Sequence, residues 1–239
     1  MLHRALPQPG SAAPARRQAS RCRPPRQAII VAHGRDYDSP NTVKLFSPSK
    51  INLFLRVTRR REDGYHDLAS LFHAIDLGDE MEFTASPYTL QDNLVCSDPT
   101  IPSDERNLVI KALNLYRRKT FQTMYFDVKL NKKVPHGAGL GGGSGNAATA
   151  LFAANKLMGS PASDEEMMEW AGEIGSDISV FFAKGAAYCT GRGEVVEDVA
   201  PPVPLDTPIL LGLFISPARL ITRKPNSWYT HSGLWTEKQ

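Results

Sequence analysis

The chain has 239 residues, 41% hydrophobic and 22% charged, an ordinary balance for a globular protein with a real core and one or two domains. No apolar run approaches the roughly 20 residues of a membrane-spanning helix, so a membrane partner is not expected. The net charge of +3 hides a division: the first 35 residues hold seven arginines and no acid, which leaves the rest at about −4. That body is not basic, and a nucleic-acid partner is not expected either.

Residues 1–40 form a leader rich in arginine, proline and alanine, without the apolar stretch of a secretory signal. The composition fits an organelle transit peptide; a basic disordered arm or a misplaced start is the plainer alternative. Cys22, Cys96 and Cys189 are odd in number, far apart and without a CxxC, which speaks against a disulfide framework or a cysteine zinc site.

In SPSKINLFL (47–55), Lys50 and Asn52 share one face of a strand. Read alone, Lys50 is a surface lysine flanking that strand. Tyr65 and His66 follow an Asp-Gly turn signal in DGYH, where an aromatic is ordinarily a packing residue. Asn107 stands at the start of an apparent helix, as an asparagine cap does.

MYFDVKLNKKV (124–134) alternates Phe126, Val128 and Leu130 with polar residues and predicts a strand. GAGLGGGSG (137–145) follows, and then Ala147, Ala148, Leu151, Ala154, Leu157 and Met158 recur at helical spacing until Gly159 and Pro161 stop them. Strand, glycine loop and helix in that order make an anion site, because a helix start offers unpaired N–H groups and the positive end of its dipole. Ser144 adds a hydroxyl for phosphate or Mg2+. A Walker loop is absent, since no lysine follows the glycines. Gly137, Gly139 and Gly142 satisfy GxGxxG, but SPASDEEMMEWAGEIG (160–175) reads as a second helix, capped by Ser163 with Glu166, where a dinucleotide fold needs a strand. Asp177, in GSDIS, reads on its own as a helix cap.

Taken together, SPSKINLFL, REDGYHDLASLFHAIDLGD (61–79), VPHGAGLGGGSGNAAT (134–149) and GEIGSDISVFF (172–182) resemble, in order, the signatures of the 4-diphosphocytidyl-2-C-methyl-D-erythritol kinases, of the GHMP kinase superfamily. The likeness runs from about Phe46 to Leu211. It implies an α+β fold, the ribosomal-protein-S5-domain-2-like N-terminal lobe, over 41–215. It also implies transfer of the γ-phosphoryl of ATP, with Mg2+, to the 2-hydroxyl of the cytidine-diphosphate-linked methylerythritol. That step belongs to the non-mevalonate route to isoprenoids, which in plants places the chain in the chloroplast stroma. Asp177 is then the catalytic base, with Lys50 beside it; Asn52, Tyr65 and His66 bind the substrate; Asn107 borders the adenine. Pro135, Gly137, Ala138, Gly139, Leu140, Gly141, Gly142, Gly143 and Ser144 hold the ATP phosphates.

Two departures from the pattern stand out. Gly145 takes the place of a second serine in the loop, and loss of that hydroxyl is expected to weaken the handling of ATP. The likeness also ends where members of the family continue into a ferredoxin-like second lobe. Residues 216–239, with Trp228 and Trp235, read as a divergent disordered tail. The expectation is a shortened form with impaired or absent kinase activity; a non-catalytic nucleotide-binding fragment or another GHMP small-molecule kinase are the alternatives. Oligomeric state has no signature in the sequence.

Overall fold

The computed structural model describes residues 41–193 and 195–203. The arginine-rich leader and the tail with its two tryptophans lie outside the described residues.

Two long strands, β1 (Thr42–Arg60) and β2 (His66–Ser86), pair antiparallel along their whole length and are closed by the 61–65 turn. On its other edge β2 divides its pairing. Glu80–Ser86 bond to β4 (Tyr125–Asn131), and Ser70–His73 bond to β5 (Ala186–Thr190). Outward of these lie β3 (Asn93–Cys96), parallel to β4, and β6 (Val195–Val199), antiparallel to β5. Register shifts between Pro48 and Ser49, and between Asn52 and Phe54, interrupt the β1–β2 ladder near Lys50. Such bulges bend a strand and re-aim its side chains.

Three helices supply the second layer: α1 (Leu108–Thr120), α2 (Gly142–Leu157) and α3 (Asp164–Ile174). Their apolar faces meet Val43, Leu45, Met81, Phe83, Phe126 and Val128 of the sheet in one core. α2 carries a run of small buried residues, including Gly145, Ala147, Ala148, Ala150, Ala153 and Ala154, so its backbone lies close against β1. The architecture is the α+β arrangement expected, and the strand expected at 124–134 is present over 125–131.

Local chemistry set several boundaries as read. Asn107 caps α1, its Oδ1 accepting from the Val109 N–H at 2.9 Å. Ser163 and Glu166 form a capping box at α3, bonding each other's backbone N–H at 3.2 and 2.8 Å. α2 differs from its expected start. It begins at Gly142, inside the glycine run and well before the first alanine of the periodic face. Packing on β1 overrides the low helix propensity of three glycines there. Asp177 differs too: the short 3-10 turn Ser179–Phe182 has Ile178 at its N-cap position and no side-chain cap bond. Its carboxylate is not used as that cap.

Candidate active site

The site begins where the glycine loop meets β1. The Lys50 backbone N–H donates to the Leu140 carbonyl at 2.8 Å, and Leu140 is buried while Gly137 and Gly139 stand exposed. The loop is thus anchored by one apolar side chain and one backbone bond, with Gly137 and Gly139 clear of neighbouring side chains. A Cβ built on Gly137 or Gly139 would meet nothing within 4 Å. Gly141 stands at the N-cap of α2 with φ 67°, and no side chain caps the helix. A Cβ at Gly141 would come within 3.0 Å of the Lys50 stem, so glycine serves there both the left-handed backbone and the close approach. The uncapped first turn, with no acidic residue in it, presents its N–H groups to the loop mouth, which favours an anion.

Lys50 itself is buried, at 6% exposure. Its ammonium donates to Asn52 Oδ1 at 2.9 Å, lies 4.6 Å from the centre of the Phe72 ring, and faces Asp177 Oδ2 at 3.7 Å. The last distance is an ion pair longer than a hydrogen bond. Burial pulls the Lys50 ammonium below its ordinary value, and the Asp177 carboxylate opposes that pull. Asp177 is 44% exposed on its side chain, so it offers an open carboxylate next to a buried cation. Behind Lys50 a polar chain continues: Asn52 Nδ2 donates to Ser70 Oγ at 2.9 Å, and that hydroxyl donates to the Phe54 carbonyl at 2.8 Å. The chain fixes the Asn52 amide, and Asn52 in turn fixes the ammonium.

Two cavities meet at the loop. One, of about 460 Å³, brings together Lys50, Asn52, Gly139, Gly141 and Asp177, with Cys189 and Arg192 on its wall. The other, of about 320 Å³, is lined by Pro135, the loop from Gly137 to Ser144, and Asn107. Asn107 therefore borders the loop, but both ends of its amide are engaged locally, the Nδ2 donating to the Pro102 carbonyl at 2.7 Å. Tyr65 and His66 line neither cavity. Tyr65 stands at the hairpin turn, 47% exposed, with the Arg192 guanidinium 5.3 Å from its ring centre.

Gly145 is buried, and a Cβ there would lie 2.3 Å from the Pro48 carbonyl oxygen. In this packing a side chain at 145 points into the α2–β1 contact rather than into the loop mouth. The hydroxyl expected to be missed at the phosphates would face β1.

Sequence reasoning did not find a buried ionic network beneath the loop. Asp79, fully buried, accepts from the Lys133 and Val134 backbone N–H groups at 2.7 and 2.9 Å, from the Lys132 ammonium, and from Asn146 Nδ2 at 2.9 Å. Asn146 also donates to Ser47 Oγ at 2.9 Å. These bonds tie the strand before the loop, the helix after it, and both long strands to one carboxylate. Only the Lys-Lys pair ahead of the loop could have signalled it, and nothing in that pair names its partner.

Cys189, at 1% exposure, has its thiol pushed up to about 11, first by burial and then by the Asp177 carboxylate, with Lys50 opposing. At pH 8 it is a neutral, shielded thiol, and the thiolate is the reactive form. Iodoacetamide at pH 8 is therefore expected to alkylate the partly exposed Cys96 and to spare Cys189 until the chain is denatured. Peptide mass spectrometry reads both sites, and rapid labelling of native Cys189 would contradict the placement.

Residues 107–185 match the family described as the GHMP kinases N terminal domain. The chain is 62% identical over 167 residues to the chloroplastic/chromoplastic 4-diphosphocytidyl-2-C-methyl-D-erythritol kinase of Solanum lycopersicum, covering 70% of this chain and 42% of that protein. The chloroplastic kinase of the same name from Arabidopsis thaliana is 59% identical, over 74% of this chain and 46% of its own.

Residues 107–185 are similar to the N-terminal domain of the GHMP kinases.

A crystal structure of a 4-(cytidine 5'-diphospho)-2C-methyl-D-erythritol kinase superposes with a TM-score of 0.56 at 32% identity, over 66% of this chain and 55% of that one. The Methanococcus jannaschii mevalonate kinase superposes at 0.52 with 14% identity, over 68% of this chain and 57% of that one, a likeness of fold alone. The chain spans less than half the length of the plant relatives it matches. The matched N-terminal domain, 107–185, holds the glycine loop and Asp177, and Lys50 lies ahead of it in the chain.

Proposed function

We propose that residues 41–215 form the nucleotide-binding domain of an ATP-dependent kinase acting on the 2-hydroxyl of 4-diphosphocytidyl-2-C-methyl-D-erythritol, in a plastid. The observation that carries this reading is the Lys50–Asp177 pair at 3.7 Å, in the same cavity as Gly139 and Gly141 of the uncapped loop. A carboxylate, a cation and a phosphate cradle within one cavity are the parts that phosphoryl transfer to an alcohol requires. The plastid setting follows the names of the plant relatives, which are chloroplastic.

In this reading the loop N–H groups would hold the phosphates of ATP, and Ser144, in the first turn of α2, is the residue that would meet Mg2+ carried by them. The metal would neutralise charge on the phosphates when bound. Asp177 accepts the proton of the attacking hydroxyl, which its open carboxylate permits. Lys50 pairs with that carboxylate at 3.7 Å and offers positive charge to the group in flight. Asn52 holds the ammonium between the Phe72 ring and Asp177, and the Asn52 amide is oriented by its bond to Ser70.

The test is a transfer assay on the chain lacking residues 1–40, with magnesium-ATP and the cytidine-linked methylerythritol, and mass detection of the 2-phosphate. Product formed with this substrate, and not with mevalonate or homoserine, supports the reading. ATP binding without product, on a chain shown to be folded, replaces it with a nucleotide-binding role.

A further inference from the structure

We propose that Ser70 is a positioning residue, which holds the Lys50 ammonium in place by way of Asn52; its part in phosphoryl transfer rests on the kinase reading above. The three residues stand on two neighbouring strands. β1 slips register between Asn52 and Phe54: Asn52 opposes Phe72, Phe54 opposes Leu71, and the pairing skips Leu53. Ser70 lies on β2 opposite Leu55, just past the slip. Its hydroxyl reaches back across it. The Oγ donates to the Phe54 carbonyl at 2.8 Å and accepts from Asn52 Nδ2 at 2.9 Å. One side chain, 2% exposed, thus ties the two flanks of the bulge together, and a bulge is where a strand re-aims its side chains.

The directions of these bonds leave no choice. A carbonyl only accepts, so the single Ser70 O–H is committed to Phe54, and its lone pairs remain for Asn52. Asn52 must turn its amide nitrogen to Ser70, and its oxygen then faces the Lys50 ammonium at 2.9 Å. An ammonium only donates, so the far end of the chain requires the same orientation. The other neighbours of the ammonium aim it less. Asp177 lies at 3.7 Å, beyond a hydrogen bond, and the centre of the Phe72 ring at 4.6 Å. Both attractions tolerate a displacement of the charge that a directed 2.9 Å bond does not. Burial works against the charge on Lys50, so an acceptor held in place sustains it. Asp177 from the segment after α3, Cys189 on β5 and Arg192 in the turn after it share this cavity with Lys50, and a change at Ser70 removes none of them.

The experiment compares Ser70→Thr, which keeps the hydroxyl, with Ser70→Val, which has the shape of threonine without it, in the full chain. Lysines labelled at Cε are titrated by NMR, and the Lys50 resonance is assigned by its loss in Lys50→Met. In Ser70→Val the Lys50 midpoint should move to lower pH than in the parent, since the ammonium loses a fixed acceptor. Ser70→Thr should restore it. Phosphoryl transfer by Ser70→Val should fall roughly 10- to 100-fold in kcat, as misplacement of a positioned group does, with KM for ATP unchanged. Equal midpoints in parent, Ser70→Thr and Ser70→Val overturn the inference and leave the kinase reading standing. Equal movement in both variants overturns it as well, because packing and not the hydroxyl is then the cause. So does a rise, since Asn52 would then keep the ammonium from a better partner instead of sustaining its charge. Unchanged transfer by Ser70→Val overturns the part in catalysis. A parent that makes no product overturns the kinase reading, and the titration alone then decides whether Ser70 holds Lys50. Melting curves verify folding, and Ser70→Ala takes the place of a Ser70→Val that does not fold.

Discussion

Asp79→Asn is expected to cost about 3–5 kcal/mol of folding stability, the cost of leaving a buried partner charge uncompensated. The side chain is fully buried and its two oxygens accept from four groups: two backbone N–H groups, the Lys132 ammonium and the Asn146 amide. An amide of the same shape keeps part of this geometry and removes the charge, so the Lys132 ammonium, itself only 8% exposed, loses its counter-ion. Lys132→Met should be destabilising for the mirror reason. The double variant Asp79→Asn, Lys132→Met should be less damaged than either single one, since no unpaired charge then remains. Urea denaturation at constant m-value measures all three. Additive losses in the double variant would show that the ion pair is not what the network contributes. The same carboxylate ties the β4 end, α2 and β1, so the single variant should also loosen the glycine loop, seen as a lower affinity for ATP in the fraction that remains folded.

This network marks the limit of what single-sequence reading can find. The loop was legible because six glycines in nine positions have one economical reason, close approach of an anion to bare amides. The caps at Asn107 and Ser163 were legible because a cap bond spans two or three residues and depends on nothing distant. The 125–131 strand was legible from alternation. Asp79, Lys132 and Asn146 lie on three separate elements, and no periodicity or spacing joins them before the chain folds. The pairing of Lys50 with Asp177 is equally non-local. Each residue alone has a plainer reading, a flanking lysine and a cap, and resemblance to a kinase family was what set them together. The structure supplies the physical reason: bulges around Lys50 in β1 turn its ammonium inward, and the 3-10 turn after Asp177 takes no side-chain cap and leaves the carboxylate open.

Asp177→Asn is the substitution that separates chemistry from binding at this site. The side chain is nearly half exposed but faces the buried Lys50 ammonium, so the variant should lose more stability than the ~0.5 kcal/mol of an ordinary surface substitution and less than a fully buried pair does. ATP should bind as before, because the loop anchors through Leu140 and the Lys50 backbone, neither of which touches the carboxylate. Phosphoryl transfer should fall by about 10²–10⁴, the usual contribution of a positioned base. The fall should appear equally in kcat and kcat/KM, as for a group used only in the transition state. An electrostatic readout that needs no turnover runs alongside. The Asp177 carboxylate helps raise the Cys189 thiol to about 11; removing that negative charge makes the thiolate easier to form. Cys189 in Asp177→Asn should therefore titrate lower than in the parent, followed by thiolate absorbance or by the pH at which alkylation begins. A Cys189 titration that does not move would place the carboxylate away from the cavity, and a transfer rate that does not move would remove Asp177 as the base. Movement of both is what Asp177 acting as the base, with its carboxylate facing Lys50 and Cys189 in one cavity, requires.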